Sequence, residues 1–94
     1  MNIKGLYFYL TCGACPEQYD VEDSNGKQLG YVRLRWGTLS CEYPNIDGET
    51  IYTADIGDGL TGRFESDEQR MKHLNNIADK ILEIKKARNP ISFS

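Results

Sequence analysis

Apolar and polar residues alternate through most of the first two thirds of the chain. Tyr19-Asp20-Val21-Glu22 switches character at every position, the signature of a strand with one buried face. Ser24-Asn25-Gly26-Lys27 comes next. Its Asn-Gly pair predicts a type I′ hairpin turn, which needs positive φ at both central residues. Leu29–Trp36 reads as the following strand, Gly37 as a turn, and Leu39–Tyr43 as the strand after it. Pro44 has no N–H to give to a ladder and ends the run. Before this block, Ile3–Leu10 alternates Leu6, Phe8 and Leu10 with Tyr7 and Tyr9, and reads as strand one. Beyond it, Asp47-Gly48 marks a turn, Thr50–Ile56 a fifth strand, and Arg63-Phe64-Glu65 a short sixth.

The period changes at Ser66. Met71, Leu74, Ile77, Ala78, Ile81 and Ile84 recur at three- and four-residue spacing, one apolar stripe of a helix that runs to about Ala87. Ser66 and Gln69 have capping-box spacing. Asp67 and Glu68 sit at the positive end of the helix dipole, and Lys85, Lys86 and Arg88 at the negative end. Asn89-Pro90 stops the helix. One helix with one stripe covers one sheet face. The expected fold is therefore α+β, an antiparallel meander of five to six strands with one C-terminal helix on one face. Residues 1–94 form a single domain in this reading, with the sheet over about 3–65, the helix over 66–87 and a short tail over 88–94.

Alternation also sorts the faces. Leu6, Phe8, Leu10, Val21, Val32, Leu34, Leu39, Cys41 and Tyr43 point at the helix. Tyr7, Tyr9, Asp20, Glu22, Tyr31, Arg33, Arg35, Ser40 and Glu42 share the opposite face. A register slip of one residue would exchange the sets and bury Arg33 and Arg35, which is costly.

Length and charge narrow the function classes. The 94 residues suffice for one core. No apolar run approaches the ~18 residues of a membrane helix. Leu6–Leu10 is too short for a signal-peptide core, so a cytoplasmic location and no membrane contact are expected. Three cysteines fit a reducing compartment. The net charge of −3 is uneven: residues 1–65 hold five Lys/Arg and ten Asp/Glu, residues 66–94 six and four. The sheet half lacks the basic stripe of a nucleic-acid binder, so direct nucleic-acid binding is not expected. An acidic sheet suits solubility, or a basic partner surface.

The motifs that carry chemistry elsewhere lack their context here. Cys12-Gly-Ala-Cys15 has the spacing of a redox dithiol or half a zinc site, but Pro16 and a hairpin follow it rather than a helix. The remaining ligands, Cys41 and His73, fall on a core position and a helix surface. A tight turn holding two small thiols is the simpler reading, with no metal and no cofactor. Gly57-Asp-Gly-Leu-Thr-Gly62 matches G-x-G-x-x-G, but Arg63-Phe64-Glu65 separates it from the helix, so it reads as a turn region. Asp20, Glu22 and Glu42 could do acid–base work, although Arg33 and Arg35 are expected as their cross-strand partners. No catalytic residue is assigned. The remaining candidate is a binding surface of Tyr31, Arg33, Arg35, Tyr7, Tyr9, Asp20 and Glu22, since tyrosine and arginine are enriched where proteins meet partners.

Three stretches, TCGACPEQYDV, GYVRLRWGTLSCEYP and DEQRMKHLNNIADKIL, resemble small uncharacterised proteins carried by phages and prophages of gut bacteria. The resemblance implies a context, the host cytoplasm. Small acidic phage proteins without an enzyme site are often binders, including inhibitors of host defence. Some present an acidic surface to nucleic-acid-binding effectors, and others sequester nucleotide signals. The expected function is a small non-catalytic binding protein that takes a protein partner on its open sheet face or acidic rim. A homodimer, a small nucleotide or other anionic ligand, and a small carboxylate-based enzyme are the alternatives.

Overall fold

The computed structural model describes residues 1–12, 17–56 and 64–88. Six strands form one antiparallel meander: β1 (Asn2–Ile3), β2 (Leu6–Cys12), β3 (Glu17–Glu22), β4 (Gln28–Arg35), β5 (Thr38–Tyr43) and β6 (Glu49–Asp55). Their order across the sheet is their order along the chain. One helix, α1 (Asp67–Arg88), follows and packs on one face, giving the α+β arrangement expected from the pattern. Leu74, Ile77, Ala78 and Ile81 meet Phe8, Val21, Val32, Leu34, Leu39 and Cys41, all buried.

The sixth strand is not the one expected. Lys4 and Gly5 have φ of 56° and 88°, forming a two-residue turn that pairs Ile3 with Leu6. The run read as strand one therefore splits, and its first piece is the extra strand. Phe64 and Glu65 belong to no strand, and Arg63 lies outside the described residues. The turns also differ. Trp36 and Gly37, at φ 54° and 73°, make a second two-residue turn, between Arg35 and Thr38. At Asn25-Gly26 only the glycine has positive φ, 82°, so this is not the expected type I′ turn. Asp23 explains the difference. Its carboxylate accepts from the N–H groups of Asn25 at 2.8 Å and Lys27 at 3.0 Å, which favours a wider loop ending in a left-handed glycine.

Three bulges interrupt the strand pairings, at Leu10/Cys12, Val21/Glu22 and Cys41/Glu42, and the one at Val21/Glu22 brings an extra residue into the core. Val21 pairs with Gly30 and Glu22 with Gln28, so Leu29 is an extra residue on β4. It is buried, 2% exposed, and joins the core that strict alternation would deny it. Beside it, a Cβ on Gly30 would lie 2.9 Å from Ile81 Cδ1, so α1 crosses β4 where the strand has no side chain. Another of the bulges leaves Thr11 unopposed between Leu10 and Cys12. Leu10, expected under the helix, is 57% exposed. It pairs with Tyr19 on the core face, but it sits on the sheet margin, past the point where Met1 bonds to Phe8.

The N-cap of α1 forms as its spacing predicts, with one change. Ser66 Oγ accepts from the Gln69 N–H at 3.0 Å. The Gln69 side chain, however, accepts from the Glu65 N–H at 2.8 Å rather than from that of Ser66. Met71 departs from the stripe and is 38% exposed. Leu74 and Ile81 are fully buried, so Leu74→Asp or Ile81→Asp places a lone charge in the core and costs several kcal/mol. Thermal or urea denaturation should find both variants unfolded. An unchanged midpoint would mean that the stripe faces water.

Candidate functional site

The face away from α1 is built by register. Tyr7 lies beside Glu22, which lies beside Gln28. The next row runs Tyr9, Asp20, Tyr31, Glu42, Thr50. Then come Gln18, Arg33, Ser40 and Thr53, and last Arg35, Thr38 and Asp55. All seven candidate residues therefore share one face. They do not share one exposure. Tyr9 and Arg35 are exposed, and Tyr7, Asp20, Glu22 and Arg33 are half-buried. Tyr31, expected as an open contact, is only 9% exposed and its phenol donates to Gln18 Oε1 at 2.9 Å. Its place between two flanking strands leaves little of it for a partner.

The expected pairing of arginines with carboxylates does not occur. Register sets Arg33 between Gln18 and Ser40, and Arg35 beside Thr38. The carboxylates flank Tyr31 one row away. Asp20 accepts from Gln28 Nε2 at 3.3 Å, and Glu42 from Thr50 Oγ1 at 3.0 Å. Among the described residues the ion pairs are Lys4–Asp79, Arg70–Glu17, Arg70–Asp67, Lys80–Glu83 and Lys85–Asp23, none of which uses Arg33 or Arg35. Among the described residues, two guanidiniums on a central strand are thus left without a carboxylate.

Pattern reading also missed Trp36. Alternation reads it as the end of a strand, but it occupies the first corner of the turn after Arg35 and is 66% exposed. The signal was present in Arg35-Trp-Gly-Thr38. A two-residue gap with glycine second forces the first corner into positive φ as well. That conformation suits asparagine or glycine and strains a bulky side chain.

A polar cluster of a different kind lies under the N-terminal end of α1. Glu17, 3% exposed, heads β3. It accepts from Arg70 Nε at 2.7 Å, from Arg70 Nη2 at 3.2 Å and from the Tyr19 hydroxyl. The Arg70 guanidinium also bonds to Asp67 and lies 5.6 Å from the Phe64 ring centre. Phe64 stacks on His73, whose Nδ1 is 2.8 Å from the Tyr52 hydroxyl. His73 is therefore a packed residue, not the solvated surface histidine that its off-stripe position predicts. Glu17 is equally unavailable to a basic partner. Beside Tyr52, a shallow open depression of about 400 Å³ is lined by Asn76, Asp79, Lys80 and Glu83.

Protonation in this cluster follows from burial and pairing. Burial pushes the Glu17 carboxyl up, but hydrogen bonds from Arg70 and Tyr19 and the Arg70 charge outweigh it and hold it below the ordinary 4.5. Burial, then the hydrogen bond and charge of Glu17, hold the Tyr19 phenol well above its usual range. Burial, with the Lys72 charge nearby, lowers His73 below 6.5. Burial pushes the Cys41 thiol up to about 12, which makes it an inert core group. Cys15 and the side chain of Cys12 lie outside the described residues, as does Gly57–Gly62. Among the described residues no three His, Cys, Asp or Glu side chains are grouped to hold a metal, and no helix is long and apolar enough to cross a membrane. The chain matches no family model, no curated protein and no solved structure.

The cluster gives a stability profile with a defined sign. Both folded values lie below their unfolded ones, so both contributions are full at neutral pH and are lost on acidification. The His73 share fades below about 6.5 and the Glu17 share below about 4.5. Urea midpoints measured against pH should fall in that order. Glu17→Gln should cost about 2–3 kcal/mol at pH 7, because it leaves the half-buried Arg70 with only the exposed Asp67 as an ionic partner. It should also flatten the loss below 4.5. Asp23, lowered first by the Lys27 N–H and then by that of Asn25, keeps its own share. An equally steep acid limb in Glu17→Gln would remove Glu17 from this role.

Proposed function

We propose that this chain is a non-catalytic binding protein that takes a protein partner on its open sheet face. The observation that carries the reading is the unpaired state of Arg33 and Arg35. They lie on a face that α1 leaves uncovered, next to the turn that holds the exposed Trp36. Arg, Trp and Tyr are the residue types that dominate binding hot spots. Of the carboxylates on the same face, Asp20 is engaged with Gln28 and Glu42 with Thr50, which supports binding over acid–base chemistry. In the context that the resemblance implies, the partner is a host protein and the chain a phage accessory or counter-defence factor. A small nucleotide or other anion is the second reading, favoured by the same free guanidiniums, which can fork onto a phosphate.

Neither arginine supports the core. Arg33→Ala and Arg35→Ala should each change stability by no more than about 1 kcal/mol. The test is capture from a bacterial host lysate with the wild type and the Arg33→Ala/Arg35→Ala double variant, identifying both bound proteins and bound nucleotides. The expected result is a protein held by the wild type and lost from the folded double variant. Equal capture by both would overturn the reading. A bound nucleotide without a protein would replace it with the second.

A further inference from the structure

The open face is not uniform in charge, and its two ends differ. Toward the Asp23–Lys27 turn lie Glu22, Asp20 and Glu42, the last two flanking Tyr31. Toward the Trp36–Gly37 turn lie Arg33 and Arg35, with Asp55 two strands away beyond Thr38. Arg33 and Arg35 are separated by one residue on a strand, so their side chains emerge on the same side about 6.7 Å apart. Alternate side chains of any extended peptide have the same spacing. Trp36 follows Arg35 directly, in the turn at the tip of the hairpin. Its φ of 54° is a conformation the turn would hold more easily with asparagine or glycine, yet the position carries a tryptophan with two thirds of its surface in water.

Building on the protein-partner reading above, we propose that the Arg33–Arg35–Trp36 end of the face takes an extended acidic segment of that partner. Alternate carboxylates of the segment pair with the two guanidiniums, and an apolar side chain beside them covers Trp36. Charge complementarity selects this occupant. The two arginines, which have no ion pair among the described residues, are matched locally by two carboxylates. A longer polyanion fits less well, because phosphates running past the arginines would meet Asp20, Glu42 and Asp55. The acidic rows give the segment a direction, since a basic residue is tolerated at only one of its ends.

The experiment is panning of a random linear peptide display library on the wild-type protein, followed by affinity measurement for the peptides it enriches. The expected peptides carry Asp or Glu at alternate positions next to an apolar residue, and their binding weakens with added salt. The Arg33→Gln/Arg35→Gln variant should bind them about tenfold or more weakly. Trp36→Asn should also weaken them about tenfold while its melting temperature is equal to or above that of the wild type, which separates contact from folding. No enrichment, enrichment without acidic residues, or equal affinity in the arginine variant would overturn the inference. Preferential binding of a thymidine oligonucleotide over the peptides would overturn it in favour of nucleic acid. If a captured host protein depends on Arg33 and Arg35 but panning gives no acidic sequences, the binding reading stands and this inference alone falls.

Discussion

The Glu17–Arg70 pair sets how the helix lies on the sheet. Glu17 begins β3 and Arg70 stands in the first turns of α1, 53 residues later, with the carboxylate buried and the guanidinium closing over Phe64. A buried carboxylate without its partner is costly, so few helix rotations are tolerated. With Arg70 turned inward, Leu74, Ile77, Ala78 and Ile81 follow on the same side, and Met71 is rotated out. Tyr19 and Phe64 fill the space around the pair, and His73 and Tyr52 extend it toward β6.

Against β4 the fit is set by the opposite means, an absence of side chain. Ile81 Cδ1 approaches the place where a Cβ on Gly30 would stand. The neighbouring bulge turns Leu29 into the space beside this close approach. Polar anchorage at one end and bare backbone in the middle together leave the whole opposite face free of the helix. The surface proposed for binding is thus a by-product of having a single stripe to bury.

Periodicity carried most of the fold because each strand lies beside its sequence neighbour and each face has one character. It gave five of the strands, the helix and the sorting of Tyr7, Tyr9, Asp20, Glu22, Tyr31, Arg33 and Arg35 onto one face. It went wrong where one residue interrupts the period. Lys4-Gly5 splits a run whose phase changes there, Ile3 and Leu6 being three residues apart, Leu29 enters the core through a bulge, and Leu10 keeps its core-face phase but lies exposed on the sheet margin. The arginine pairing failed for a similar reason. Which residues face each other depends on register, and register here is set by two turns whose types are not visible in alternation. The Glu17–Arg70 and Tyr52–His73 contacts join residues far apart in sequence, and no local pattern announces them.

The meander has a consequence for how the chain reaches this state. Every strand pairing is between consecutive segments, so the sheet closes only short loops as it forms, which favours rapid assembly. The helix is different. Its anchors reach back 53 residues to Glu17 and 75 residues to Lys4, and a ribosome delivers it only after all six strands. Until it arrives, Phe8, Val21, Val32, Leu34 and Leu39 form one side of a preassembled sheet with nothing over them. During synthesis that side is the adhesive one, and a chaperone or a second nascent chain would find it there.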